Sequence, residues 1–180
     1  MPHRPANNYI EIQPFPSPCG ELLLGAYCEQ LCLCDWVEQK HGLRNLHALQ
    51  AHYSASVEQR PSDILARAAD QLNAYFAGER TAFDIPLIYG IGTDFQQLVW
   101  SELRTIPYAV TISYSELAER IGRPDAVRAV ANAVGANALS IFVPCHRVIG
   151  KNGTLTGYAG GLSAKQYLLQ LEHSYIPTDR

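Results

Sequence analysis

The chain has 180 residues, is 47% hydrophobic and 17% charged, and carries a net charge of −3. This is the composition of an ordinary soluble protein with room for one large domain or two small ones, and no segment is apolar for long enough to span a membrane. The opening MPHRPANNYIEIQPFP has no signal-peptide core, and four of the five cysteines crowd into residues 19–34, which is not a secreted disulfide framework; the cytoplasm is the expected location.

Residues 9–13 and 21–28 predict strands. Glu29 and Gln30 turn the chain into LCLCDWV, where strand alternation puts Cys32 and Cys34 on one face and Leu31 and Leu33 on the other. Cys19, Cys28, Cys32 and Cys34, with His41 or His47, have the elements of a zinc site, but spacings of nine, four and two match no standard zinc knuckle. Buried strand cysteines and no metal are expected. Residues 62–77 predict a helix capped by Ser62 or Asp63 and stopped by Gly78. Its stripe is Ile64, Leu65, Ala68, Leu72, Tyr75 and Phe76. The glycines of YGIGTDF mark a linker, so we expect one domain over 1–91 and another over 92–180. Trp36 and Trp100 are expected in the core; His3, His52 and His173 are read as surface or packing residues.

The second half is mostly helical in pattern and opposite in charge. Residues 1–94 hold 6 Lys/Arg against 11 Asp/Glu, whereas residues 95–180 hold 8 against 6. An acidic half joined to a mildly basic half fits a chain whose second half meets a polyanion. No lysine-rich tail is present to drive binding by charge alone. Phe95, Leu98, Val99, Glu102 and Leu103 stand at helical spacing ahead of Pro107. Ser115 is expected to cap a short helix carrying Leu117, Ala118 and Ile121, which Gly122 closes; Asp125 is expected to cap a second, with Val127, Val130 and Val134 buried. Two short helices about a tight glycine turn have the shape of a helix-turn-helix. Arg128, Ala131, Asn132 and Gly135 share the open face of the second helix. One arginine among small residues suits a groove of limited width, with Arg128 free to enter a base stack or reach a phosphate. A glycine-punctuated loop follows, and Ser163 is expected to cap a last helix.

The run SIFVPCHRVIG, residues 140–150, carries an apolar strand into Pro144 and then sets Cys145, His146 and Arg147 side by side. A free thiol titrates near 8.5, so a nucleophilic cysteine needs a base or a cationic neighbour. Adjacent residues on a strand point to opposite faces, so a directly stacked Cys–His dyad requires a turn at Pro144, or a bridging water. A third group should orient the imidazole; Glu172 on the final helix is the candidate. Arg147 is expected to be a structural ion-pairing residue.

PCHRV at 144–148 is similar to the active-site signature of the O6-alkylguanine-DNA alkyltransferases, the methylated-DNA–protein-cysteine methyltransferases. FQQLVWSELRTIP (95–107), YSELAERIGRP (114–124), RAV (128–130), Asn137, GTLTGYAGG (153–161) and LLQLE (168–172) resemble the same family in the same order. The resemblance implies an α/β N-terminal domain of ribonuclease-H-like form and a mostly α-helical C-terminal domain with a minor-groove helix-turn-helix. It implies a single-turnover repair protein that takes the alkyl group from O6-alkylguanine in duplex DNA, with O4-alkylthymine a further candidate, onto Cys145. His146 would act as base through a water, Glu172 would orient it, Asn137 would brace the thiol and Tyr114 would rotate the 3′ phosphate and assist departure of the base. Arg128 would fill the gap left by the flipped nucleotide, with Tyr114, Ser115, Ala126, Ala129 and Ala131 also at the DNA. Val148 through its carbonyl, Tyr158, Ala159 and Val134 would form the pocket. No cofactor, no membrane and a monomer are implied.

The chain departs from the family pattern at Ala138 and Ser140, where prolines are usual, at Ala159, where some relatives carry a serine, and at Ala131 and Asn132, where glycines are common. Fewer pocket prolines suggest a roomier or more mobile pocket. A damage sensor of the family would lack the cysteine, and a Cys–His hydrolase is disfavoured by the adjacency of Cys145 and His146.

Overall fold

The computed structural model describes residues 8–37 and 43–175. Strands β1 (Tyr9–Ser17), β2 (Gly20–Tyr27) and β3 (Gln30–Trp36) form an antiparallel meander, and β4 (Ser56–Gln59) adds in parallel beside β1, giving the order β3-β2-β1-β4. Cys28 and Glu29 join β2 to β3 with φ of 49° and 63°, the left-handed pair that tight hairpin turns require. Opposite Gly25 and Ala26 the register slips: Gly25 pairs with Leu33 and Ala26 with Leu31, leaving Cys32 as the extra residue of a bulge. The expected alternation therefore fails. Leu31 and Cys34 share one core cluster, and Cys32 and Leu33 the other, because a bulge breaks the period-2 rule.

Helix α1 (Arg44–Tyr53) covers one face of the sheet through Leu46 and Leu49. With two buried residues in ten its pattern is too sparse to read from sequence, as is the four-residue, mostly polar β4. Helix α2 (Asp63–Phe76) packs on the other face with the expected stripe, five of its six residues buried and Phe76 partly so. Ser62 holds the N-cap position, and Gly78, at φ +75°, follows the helix end.

In the second half, α3 (Asp94–Leu103) starts in a capping box in which Thr93 and Gln96 bond each other's backbone. Helix α4 (Tyr114–Arg120) is capped by Ser113, not Ser115, because Ser113 is the last extended residue and its hydroxyl reaches the Glu116 N–H. Gly122 turns the chain at φ +69°. Asp125 does not cap; Pro124–Ala126 is a 3-10 turn running into α5 (Val127–Gly135). Two-residue strands β5 (Ile112–Ser113) and β6 (Val148–Ile149) pair in parallel, and α6 (Gly161–Ser174) starts two residues before Ser163. One core cluster runs from Phe15 through Trp36, Tyr75 and Trp100 to Leu171 and so joins both halves. Both tryptophans lie in it, as expected. Among the described residues no helix is long and apolar enough to cross a membrane.

Candidate active site

The stretch before the cysteine is not a regular strand. The Cys34 N–H of β3 donates to Ala138 O, and the Ser140 N–H donates back to Cys34 O, so the N-terminal sheet edge holds residues 138–140. Ile141 then sits at φ 72°, a left-handed conformation that costs a β-branched residue about 1–3 kcal/mol. Beyond Pro144, Cys145–Arg147 forms one 3-10 turn. Of the two arrangements left open by the sequence, the turn at Pro144 is the one present.

Asn137 braces this turn. Its amide nitrogen donates to Val143 O at 3.0 Å and to Cys145 Sγ at 3.2 Å, while its amide oxygen accepts from the Leu139 N–H. Burial pushes the Cys145 thiol above its usual value, against the Asn137 bond and the charge of Lys165. The resting group is therefore a neutral thiol.

Glu172 lies behind the turn. It is fully buried, and its Oε1 takes the His146 Nε2 contact at 2.7 Å, the Tyr75 hydroxyl at 2.8 Å and Arg147 Nη2 at 2.9 Å. Its Oε2 accepts from the Ala109 N–H and Arg147 Nε, both at 3.0 Å. Arg147 Nη1 goes on to Ile106 O at 2.7 Å, so Arg147 is the ion-pairing residue expected. Burial alone would raise the Glu172 carboxyl, but the bonds and charges of His146 and Arg147 hold it well below the usual carboxylate range. Burial lowers His146 despite Glu172. A neutral imidazole facing an ionised carboxylate carries its proton on Nε2. That leaves Nδ1 as the basic atom, and Nδ1 has no hydrogen-bond partner among the described residues.

A cleft of about 960 Å³ opens between α5 and residues 156–159. Arg128, Ala131, Asn132 and Gly135, the four expected to share a face, all line one wall, with Tyr114 and Asp125; residues 156–159 line the other. Arg128 is exposed and forms no ion pair among the described residues. The Tyr114 hydroxyl reaches Thr156 O only at 3.5 Å. Tyr158 and Ala159 line the cleft as expected, but Val134 does not: it sits one turn from Val130 on the core stripe of α5. Val148 is likewise buried. Ser115 and Ala126 are half-buried and Ala129 is exposed, outside the lining. Cys145 is 3% exposed and does not line the cleft, whereas Tyr114 and Tyr158 do.

Two residues went unread in the sequence. Lys165 is fully buried and donates to Val148 O at 2.6 Å and Thr156 O at 3.0 Å, tying together the two segments beside the thiol. Its spacing of three from Leu168 and seven from Glu172 on one helix face was the available signal. Tyr75 was legible as core, but the destination of its hydroxyl was not. Of the zinc candidates, Cys32 and Cys34 lie in different core clusters, Cys28 and His47 are exposed and Cys19 is half-buried; His41 lies outside the described residues. Among the described residues no group of three or more His, Cys, Asp or Glu is placed to hold a metal ion.

Two family models match the chain in succession: 6-O-methylguanine DNA methyltransferase, ribonuclease-like domain, over residues 13–89, and 6-O-methylguanine DNA methyltransferase, DNA binding domain, over residues 94–174. The methylated-DNA–protein-cysteine methyltransferase of Mycobacterium bovis is 53% identical over 174 residues, spanning 94% of this chain and 96% of its own. The chain belongs to this methyltransferase family. The constitutive Bacillus subtilis methylated-DNA–protein-cysteine methyltransferase is 43% identical over 162 residues, covering 87% and 91% of the two chains. The crystal structure of Mycobacterium tuberculosis O6-methylguanine methyltransferase superposes with a TM-score of 0.80 at 45% identity, covering 94% and 96%. Mycobacterium tuberculosis OGT in complex with DNA superposes at 0.77 and 44%, covering 94% and 95%. The fold is thus the family's two-domain one, a ribonuclease-like N-terminal domain followed by a helical DNA-binding domain.

Proposed function

We propose that this chain repairs O6-alkylguanine in duplex DNA by moving the alkyl group irreversibly onto Cys145, once per molecule. The Cys145 proton passes through a bridging water to His146 Nδ1. The thiolate attacks the alkyl carbon, an S–C bond forms, the C–O6 bond breaks with its electron pair going to guanine, and guanine takes up a proton. Assistance of this general acid–base kind is worth ~10²–10⁴-fold. Glu172 orients His146, and the Asn137 amide holds the sulfur.

The target atom is out of reach inside a duplex, so the base must be flipped at a cost of a few kcal/mol. We read α4 and α5 as a helix-turn-helix that enters the minor groove with the small face Ala131–Asn132–Gly135, Arg128 filling the vacated stack and Tyr114 at the flipped nucleotide's phosphate. The α5 face opening on the cleft supports this. We place the domain boundary near residue 91, in the gap between the two family matches. The three-stranded meander with a parallel fourth strand supports the ribonuclease-H-like reading of the first domain. Action as a monomer in the cytoplasm completes the proposal. Because Cys145 is 3% exposed, we propose that the wall of residues 156–159 moves outward to admit a base.

The observation that carries this reading is a buried thiol held by Asn137 in one turn with a histidine whose far nitrogen is tied to buried Glu172. Mass spectrometry after mixing with an O6-methylguanine duplex should show a gain of one methylene on Cys145 and none in Cys145→Ser. Protein that stays unmodified while the lesion persists overturns the proposal.

A further inference from the structure

The closed state of Cys145 makes the mobility of the cleft wall a determinant of what reaches it, and the residue behind that wall comes from the other domain. Trp36 ends β3 and is buried, with its ring set edge-on to Tyr158 at 5.9 Å between centroids. A Cβ placed on Gly160 would lie 2.5 Å from Trp36 Cε2, 2.7 Å from Cδ2 and 2.9 Å from Nε1. The indole therefore lies directly on the Gly160 backbone. Gly160 has φ −79°, which any residue adopts, so the glycine is required there by Trp36 and not by the backbone. The benzo edge of the indole meets Gly20 at the start of β2, where a Cβ would lie 3.2 Å from Trp36 Cζ3. The ring is wedged between two glycines, one in each domain. Its N–H has no hydrogen-bond partner among the described residues, so packing is what holds the ring there.

We infer that Trp36 is a specificity-determining residue: it limits how far the Tyr158–Gly160 wall retreats and thereby the size of the alkyl group that reaches Cys145. The inference rests on the proposed repair function. The wall carries Tyr158 and Ala159, which line the cleft, and close-packed contacts without voids transmit a displacement instead of absorbing it. A methyl group asks for little retreat, whereas a benzyl group asks for the depth of a ring.

The test compares single-turnover rates on duplex oligonucleotides carrying O6-methylguanine or O6-benzylguanine. Wild type must transfer methyl; if it does not, the repair reading falls and this inference with it. Given methyl transfer, Trp36→Leu should raise the benzyl-to-methyl rate ratio at least tenfold with the methyl rate within threefold of wild type. Gly160→Ala should lower the ratio at least tenfold, since its methyl group drives the wall into the cleft. Trp36→Leu combined with Gly160→Ala should return the ratio to within threefold of wild type. If Trp36→Leu does not fold, Trp36→Phe, whose ring is smaller than the indole and leaves room behind Tyr158–Gly160, should raise the ratio at least threefold. Unchanged ratios in the folded Trp36 variant, or a Gly160→Ala defect that persists in its background, overturn the inference while leaving the repair function standing.

Discussion

The two sides of the Cys145–Arg147 turn are built differently. Behind it, Glu172 is surrounded by four partners, His146, Tyr75, Arg147 and Ala109, every one within 3.0 Å. On the cleft side the ties are weak: Tyr114 reaches Thr156 at 3.5 Å, the Tyr158 hydroxyl has no hydrogen-bond partner among the described residues and Arg128 is exposed. The difference separates two tasks. The groups behind the turn are paired by folding itself, whereas the groups proposed to meet DNA are left with few bonds for a ligand to displace. Polar groups already paired inside the protein would have to break those bonds to recognise a base.

Glu172→Gln should make the largest break in that contrast. It removes the charge that balances buried Arg147, and breaking a buried pair costs about 3–5 kcal/mol. Thermal denaturation should register that loss, and alkyl transfer should fall ~10²-fold or more as the imidazole loses its orientation. The pH dependence has a definite sign. The folded carboxyl is held far below its ordinary 4.5, so its stabilisation is complete above about that pH and drains away as pH falls further. The acid limb of the stability curve should therefore be steep in wild type and flatter in Glu172→Gln. Equal acid limbs would show that the network does not fix the Glu172 charge.

Tyr75→Phe sharpens the comparison more gently, because it deletes one of several bonds to the carboxylate across the two domains. A hydrogen bond to a charged group contributes about 1.5–3 kcal/mol, to be read from chemical denaturation, and the methyl-transfer rate should drop less than in Glu172→Gln. Arg128→Ala tests the open side. An exposed residue with no ion pair among the described residues should leave stability within about 0.5 kcal/mol, while affinity for duplex DNA in a titration at fixed salt falls. A change in melting temperature comparable to that of Tyr75→Phe would mean that the two sides are not separate.

Legibility followed the range of the interactions. The stripe of α2, the small face of α5 and the turn at Pro144 were all readable, because helical period, glycine and proline act over a few residues. The same rules misassigned Ser115 as a cap by two positions and put Cys32 on the wrong face, since a bulge leaves no mark in the alternation of LCLCDWV. Val134 was carried into the pocket by family likeness, although its own spacing from Val130 already placed it on the buried stripe.

The sequence by itself determined the chemistry on offer: a thiol, an imidazole and a guanidinium in one proline-led turn, a carboxylate on the last helix, and an arginine on a small-residue face. Tertiary structure alone decided how they are used. Tyr75 meets Glu172 across 97 positions of chain, Cys34 holds the segment ahead of Cys145, and Trp36 backs Gly160. Such pairings cannot be read from local pattern, because a residue's periodicity says which face it occupies and nothing about which distant surface that face will meet.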